Sequence, residues 1–425
     1  MNRERGIVGI DIGASNIKCA LGLLVPGELE YIDIIAATTL PTMGIKEGAV
    51  LRKDLLFNAL QEGIERVKEL SQCEIANTII SVSSRYFYTL DTSGQIKISE
   101  GRVTHDDVLR VVKSCHDEAA QAQSSQSGYA ITHTLPQSYF LDHELLTGQP
   151  WSKPGLHLEL KSHLVYGHRE TLNSIWELER HLPAPLLDVV PDLLAQAEGL
   201  FREDELPAEA AILDIGSETT KVLLFKKGRP FFLFSRFQGG IHLTNEIQKQ
   251  LKISDFDDAE QLKLRYGQVY IDAHERSERR IPLQTDGPIR YVRQETLARI
   301  LERALTENLS ALRVRLEEAG VASSLNQGVI LTGGTANIPG ICALAGDILQ
   351  TQVTLGKPRQ RGVSDLVFTP QYATVNGLII SGLRERYDSW FSCWKRQLNQ
   401  VPEPQILRAN RSGFWERLRE LVPRR

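Results

Sequence analysis

One short signal occurs twice in this chain. Near the N-terminus it reads GIVGIDIGASNIKCALGLL, and about two hundred residues later AAILDIGSETTKVLLF. Each copy is an apolar strand, a turn opened by Asp-Ile-Gly, and a second apolar strand. A single hairpin signal of this type constrains little, because Asp-Gly between strands is common. Two copies heading stretches of similar length point to a duplicated α/β unit. At 425 residues the chain is also too long for one small core.

The turn has its own chemistry. Gly13 and Gly216 allow close backbone approach to an oxyanion, and successive N–H groups in such a turn form an anion-binding concavity. Two turns facing each other suit a polyphosphate. Asp11 and Asp214 are the candidates to hold Mg²⁺ through water, since Mg²⁺ keeps several waters and takes one or two carboxylates. A third segment, GVILTGGTANIPGICALAGDIL, reads as a strand, then Thr332-Gly333-Gly334-Thr335, then a helix opened near Pro339. Paired glycines there let a ring or a ribose pack on backbone.

Other function classes find little support. A net charge of −4, from 49 basic and 53 acidic residues, gives no general nucleic-acid footprint. The five cysteines are scattered without a CxxC pair, as expected of a reduced intracellular protein. No signal peptide or membrane-spanning run is read. His157, His163, His168 and His181 match no zinc spacing.

The last fifteen residues, RSGFWERLRELVPRR, depart from this acidic average. Phe414, Trp415, Leu418, Leu421 and Val422 fall on one helical face, with Ser412 as N-cap. Arg411, Arg417 and Arg419 help to give the segment a local charge of +3, and Pro402 and Pro404 keep the preceding connector extended. An aromatic face flanked by arginines suits a helix lying in an anionic membrane surface. A second patch, DSWFSCWKRQL, is read either as a closing core helix or as a further interfacial segment.

Strand–DIG–strand, a second DIG and then TGG resembles the actin-like ATPase superfamily. The place of the insertion narrows this. Only PTMGIKEGAV separates the third strand from the first helix, too little for a subdomain, whereas about eighty residues follow NTIISVS. That relocation, together with GGIHLTNEI, DDAEQLKLRYG and FTPQYATVNGLIISG, resembles the bacterial cell-division FtsA family.

The resemblance implies an actin-like, ribonuclease H-like duplicated α/β fold: two halves around a nucleotide cleft, with a relocated small subdomain in the first half. The expected parts are 1–83, 162–192 and 356–387 for the first half, with 84–161 inserted. The second half takes 193–254 and 323–355, with a small subdomain at 255–322. A linker at 388–410 and the amphipathic helix 411–425 complete the chain. Implied ligands are ATP and Mg²⁺. Gly13, Ala14, Ser15, Asn16 and Lys18 meet phosphate from one side, and Gly216, Ser217, Glu218 and Thr219 from the other. Gly333, Gly334 and Thr335 lie along the adenosine, with Asn245, Glu246 and Lys263 as ribose and base contacts. Asp192, on the helix joining the halves, is the acidic candidate for positioning water.

The implied function is a peripheral protein at midcell on the cytoplasmic face of the inner membrane. It self-associates into filaments, binds the C-terminal peptide of FtsZ and anionic lipid, and recruits later division proteins. The alternatives are a PilM-like pilus-assembly scaffold, a nucleotide-free scaffold of the same shape, and a small-molecule kinase. The basic tail favours the FtsA type, and no sugar motif is seen.

The second turn departs from the superfamily's usual Asp-Ile-Gly-Gly-Gly-Thr, often followed by Asp two residues on. Ser217, Glu218 and Lys221 stand at those places. A Glu218 carboxylate about 4 Å from a phosphate charge would repel it by roughly 4 kcal/mol at an effective dielectric near 20. ATP binding with little turnover is therefore the expectation.

Overall fold

A computed structural model describes residues 5–383, apart from segments at 26–27, 47–48, 123–127, 149, 202–208, 270–278, 284–289, 359–360 and 363–364. The tail residues Arg411, Phe414, Trp415, Arg417, Leu418, Arg419, Leu421 and Val422, and the patch at 388–398, lie outside the described residues.

The duplication is visible in the sheets. In the first half, Arg5–Ile12 pairs antiparallel with Asn16–Val25, which pairs antiparallel with Glu28–Pro41. On its other edge Arg5–Ile12 pairs parallel with Glu74–Val82, and that strand with Leu186–Pro191. The second half repeats the plan. Glu209–Ile215 pairs antiparallel with Thr220–Lys226, then Arg229–Arg236, and parallel with Val329–Thr332, then Val353–Leu355. The two-sided burial of parallel strands explains runs such as IISV and AAILDI, apolar without alternation.

Helix Lys53–Ser71 covers the first sheet. Its Leu56, Ala59, Leu60, Ile64 and Val67 are buried, at the spacing the sequence predicts. The chain leaves the first half after Glu74–Val82 and builds a separate antiparallel sheet from Phe87–Lys97, Tyr129–Leu141, Glu144–Leu145 and His157–His168. Helix His105–Ala122 packs on that sheet. Thr104 caps the helix: its Oγ1 accepts the Asp107 N–H at 3.2 Å, and the Asp107 carboxylate accepts the Thr104 N–H at 3.0 Å.

The halves meet across two buried helices. Asp192–Leu200 is buried along its whole length, and Ala373–Leu383 crosses it. The crossing is set by Gly199 and Gly377. A Cβ on Gly377 would lie 1.6 Å from the Ala195 carbonyl oxygen, and one on Gly199 would lie 2.5 Å from that of Ala373. No side chain fits there, and backbone cannot step aside cheaply. Gly377→Ala is therefore expected to cost at least the roughly 1–3 kcal/mol of an overpacked core. Gly128→Ala, in open space, should leave the melting midpoint unchanged. Equal midpoints for both variants would mean that the crossing is looser than described.

Candidate nucleotide cleft

Both DIG turns are closed by the same bond. The Gly13 N–H donates to Asn16 O at 3.1 Å, and the Gly216 N–H to Thr219 O at 2.9 Å. These two amides thus serve their own turns, not a concavity for an anion. Gly13 is required by that closure, because a Cβ would meet Asn16 O at 2.7 Å. The second turn is further clamped by helix Gly240–Leu251: Gly240 N–H donates to Gly216 O at 2.9 Å and Ile241 N–H to Ser217 O at 2.8 Å.

The turns face each other, and the hydroxyls of Ser15 and Ser217 are hydrogen-bonded across the gap. The cleft between them encloses about 140 Å³ and is lined by Asp11, Gly13, Ala14, Ser15, Asn16 and Lys18 from the first half. Asp214, Gly216, Ser217, Glu218 and Thr219 line it from the second, with Gly333, Gly334 and Asp192. Thirteen of the seventeen residues expected at the nucleotide and its Mg²⁺ thus line one cleft.

Four do not. Thr335 lies behind the second turn, donating to Gly216 O at 3.3 Å. Lys263 is buried beneath helix Gly240–Leu251, where its Nζ donates to Gly240 O at 2.9 Å and Thr244 Oγ1 at 2.8 Å and pairs with Glu260. Burial lowers its pKa, and Glu260 opposes that shift. Asn245 is exposed, and Glu246 lines another groove, with Arg293 and Arg299. The reason is geometric: the helix meets the second turn only through its N-terminus, and residues 245–246 lie more than a turn further on.

The expected Mg²⁺ ligands need a second correction. Asp11 Oδ1 accepts from Ser81 Oγ at 2.7 Å, and Asp11 Oδ2 from Lys18 Nζ at 3.1 Å. Asp214 Oδ2 accepts from Lys221 Nζ at 2.8 Å and Gln196 Nε2 at 3.1 Å. An ammonium therefore stands against each carboxylate that was expected to hold the ion. Lys18, expected at the phosphates, points at Asp11.

Asp192 is corrected too. Its Oδ1 accepts from the backbone N–H of Ser84 at 2.9 Å and from the Ser84 hydroxyl, and its Oδ2 from Lys221. A carboxylate held on both oxygens anchors the helix rather than orienting water. The residue missed in the sequence is Gln196, one turn on, which also lines the cleft. Its Oε1 accepts from Thr332 Oγ1 at 2.7 Å, and its Nε2 reaches Asp214 and, at 3.2 Å, Thr374 Oγ1. Burial, with Asp11 adding to it, pushes the neighbouring Cys19 thiol up to about 12 and makes it unreactive.

A family profile described as Cell division protein FtsA matches residues 211–377, and one described as SHS2 domain inserted in FTSA matches residues 86–166. The chain belongs to the FtsA family. FtsA of Pseudomonas aeruginosa is 28% identical over 385 residues, covering 90% of each chain. Escherichia coli FtsA is 25% identical over 412 residues, which are 92% of this chain and 96% of that one. Among solved structures, one titled PilM-PilN type IV pilus biogenesis complex aligns with a TM-score of 0.63 at 17% identity, covering 89% of this chain and 98% of that one. MreB5 of Spiroplasma citri bound to ADP aligns with a TM-score of 0.50 at 15% identity, covering 88% and 95%. At such identities these structures establish for this FtsA-family chain the actin-like fold, with its two halves about a cleft, and nothing of ligand or partner.

Proposed function

We propose that this chain is a division scaffold that binds ATP, self-associates into actin-like filaments, ties FtsZ to the cytoplasmic face of the inner membrane and recruits later division proteins. The observation that carries this is the pairing of an FtsA-type second half with the inserted FtsA-type subdomain in one chain. Filament formation is supported by the fold it shares with a solved double helical filament of MamK, with a TM-score of 0.50. Nucleotide binding is supported by the two facing turns and by the ADP in the MreB5 structure. The amides at Ala14, Ser15, Ser217 and Glu218 would meet phosphate, and Gly333 and Gly334 would lie along the adenosine. A cleft of about 140 Å³ is below the roughly 300–1,000 Å³ of drug-sized sites, so the Ser15–Ser217 contact must part on binding. With Asp192 and Gln196 both tied into buried bonds, hydrolysis is expected to be slow. Membrane attachment is assigned to residues 411–425. The amphipathic, arginine-flanked pattern of that segment supports a peripheral mode; among the described residues no helix is long and apolar enough to cross a bilayer.

The test is binding of the C-terminal FtsZ peptide of the same cell to the purified chain. Saturable binding is expected. Failure to bind it, together with capture of the N-terminal peptide of a pilus inner-membrane protein, would replace this reading by the PilM-like one.

A further inference from the structure

A divalent cation in a phosphate site needs carboxylates that can face it, directly or through its waters, with no competing cation against them, and Mg²⁺ demands near-octahedral oxygen ligands. The two acids at the DIG turns do not offer that. Both Asp11 oxygens already accept hydrogen bonds. Asp214 Oδ2 faces Lys221 and Gln196, and Oδ1 lies so close to Gly333 that a Cβ there would sit 2.2 Å away. The residues present do not fit the ion.

What they fit is an ammonium. Lys221 Nζ bridges Asp214 and Asp192, carboxylates from two different elements. Asp192, Asp214 and Lys221 are 5%, 4% and 5% exposed, so the charges meet away from water. Burial alone would draw the lysine's pKa down. The two carboxylates more than reverse this and hold it above the ordinary lysine value, so the ammonium is charged throughout the working pH range. The same device recurs in the other half. Asp11 faces Lys18 across its hairpin, as Asp214 faces Lys221 across the equivalent one. The spacing Asp-Ile-Gly-x-x-x-x-Lys builds both pairs by one local rule, because a four-residue turn returns the lysine directly opposite the aspartate.

We propose that Lys221 takes the place of the divalent cation, so that a nucleoside polyphosphate enters this cleft without metal. The inference rests on the nucleotide reading above. A bound Mg²⁺ would have to displace the Lys221 ammonium or sit against it, and either is unfavourable in a buried site. The polyphosphate would keep its own charge, met by turn amides and by the lysines.

Calorimetry on the full chain with ATP tests this, once in Mg²⁺ and once in EDTA. The expected affinities agree within about threefold, well under 1 kcal/mol. A loss of about tenfold or more on chelation overturns the proposal while leaving nucleotide binding intact. Binding in neither buffer removes the nucleotide reading and this inference with it. Lys221→Asp is the second arm. If its melting curve shows a folded chain, ATP should bind about tenfold or more tightly with Mg²⁺ than without. A folded variant with equal affinities would show that Lys221 is not the substitute cation. If the variant does not fold, the wild-type comparison decides alone.

Discussion

A chain ending at residue 410 is expected to stay in the soluble fraction with anionic lipid vesicles, while the full chain floats with them. The expected loss of affinity is about a hundredfold or more. The electrostatic part comes from five arginines against two glutamates in residues 411–425. At about 1 kcal/mol per basic residue near an anionic surface, a net +3 supplies about 3 kcal/mol, roughly two factors of ten. The apolar part comes from Phe414, Trp415, Leu418, Leu421 and Val422 on one face, with Trp favouring the interface. The two parts separate experimentally. Raising salt should weaken only the first, because charges further apart than a Debye length of about 8–10 Å are screened. Trp415→Ala should weaken only the second, since it leaves the charge unchanged. Equal flotation of full and shortened chains would place the anchor elsewhere and leave the tail without this role.

The features legible in the sequence are those fixed by local pattern. Strand, turn and strand around Asp11 and Asp214 are read over a few residues, and Thr104 carries its cap in its own side chain. The relocated subdomain was legible from counting alone, since ten residues between the third strand and first helix cannot hold it. What was not legible depends on elements that meet only in the fold. Lys221 looked like a lost acidic residue, because Asp192, 29 positions away in the chain, completes its environment. Asn245 and Glu246 do not line the cleft, and periodicity could not show this, because it reveals that a helix exists but not which end meets the second turn. Gln196 was visible as a residue, yet an acidic side chain drew the reading to Asp192. The repeated Asp-Ile-Gly-x-x-x-x-Lys spacing could have been found by aligning the two hairpins beyond the turn. It would have pointed to both ammonium pairs at once.

Lys221→Met is expected to destabilise the fold by about 3–5 kcal/mol, the cost of removing one partner from a buried charge cluster. Methionine matches the lysine stem in length, so packing changes little and the charge is what is lost. Asp192 and Asp214 then face each other with no ammonium between them. Asp192 keeps its bonds from Ser84, and Asp214 keeps Gln196, but neither partner carries charge. For half of a chain this size the loss is a fall of roughly 6–20 °C in melting midpoint. The chain has several subdomains, so the midpoint, not a two-state free energy, is the quantity to compare. A control separates charge from packing. Adding Asp192→Asn and Asp214→Asn to Lys221→Met removes the uncompensated charges and should restore most of the midpoint, a coupling that distant sites would not show. A midpoint that does not respond to the two asparagines would mean that Lys221 does not compensate these carboxylates.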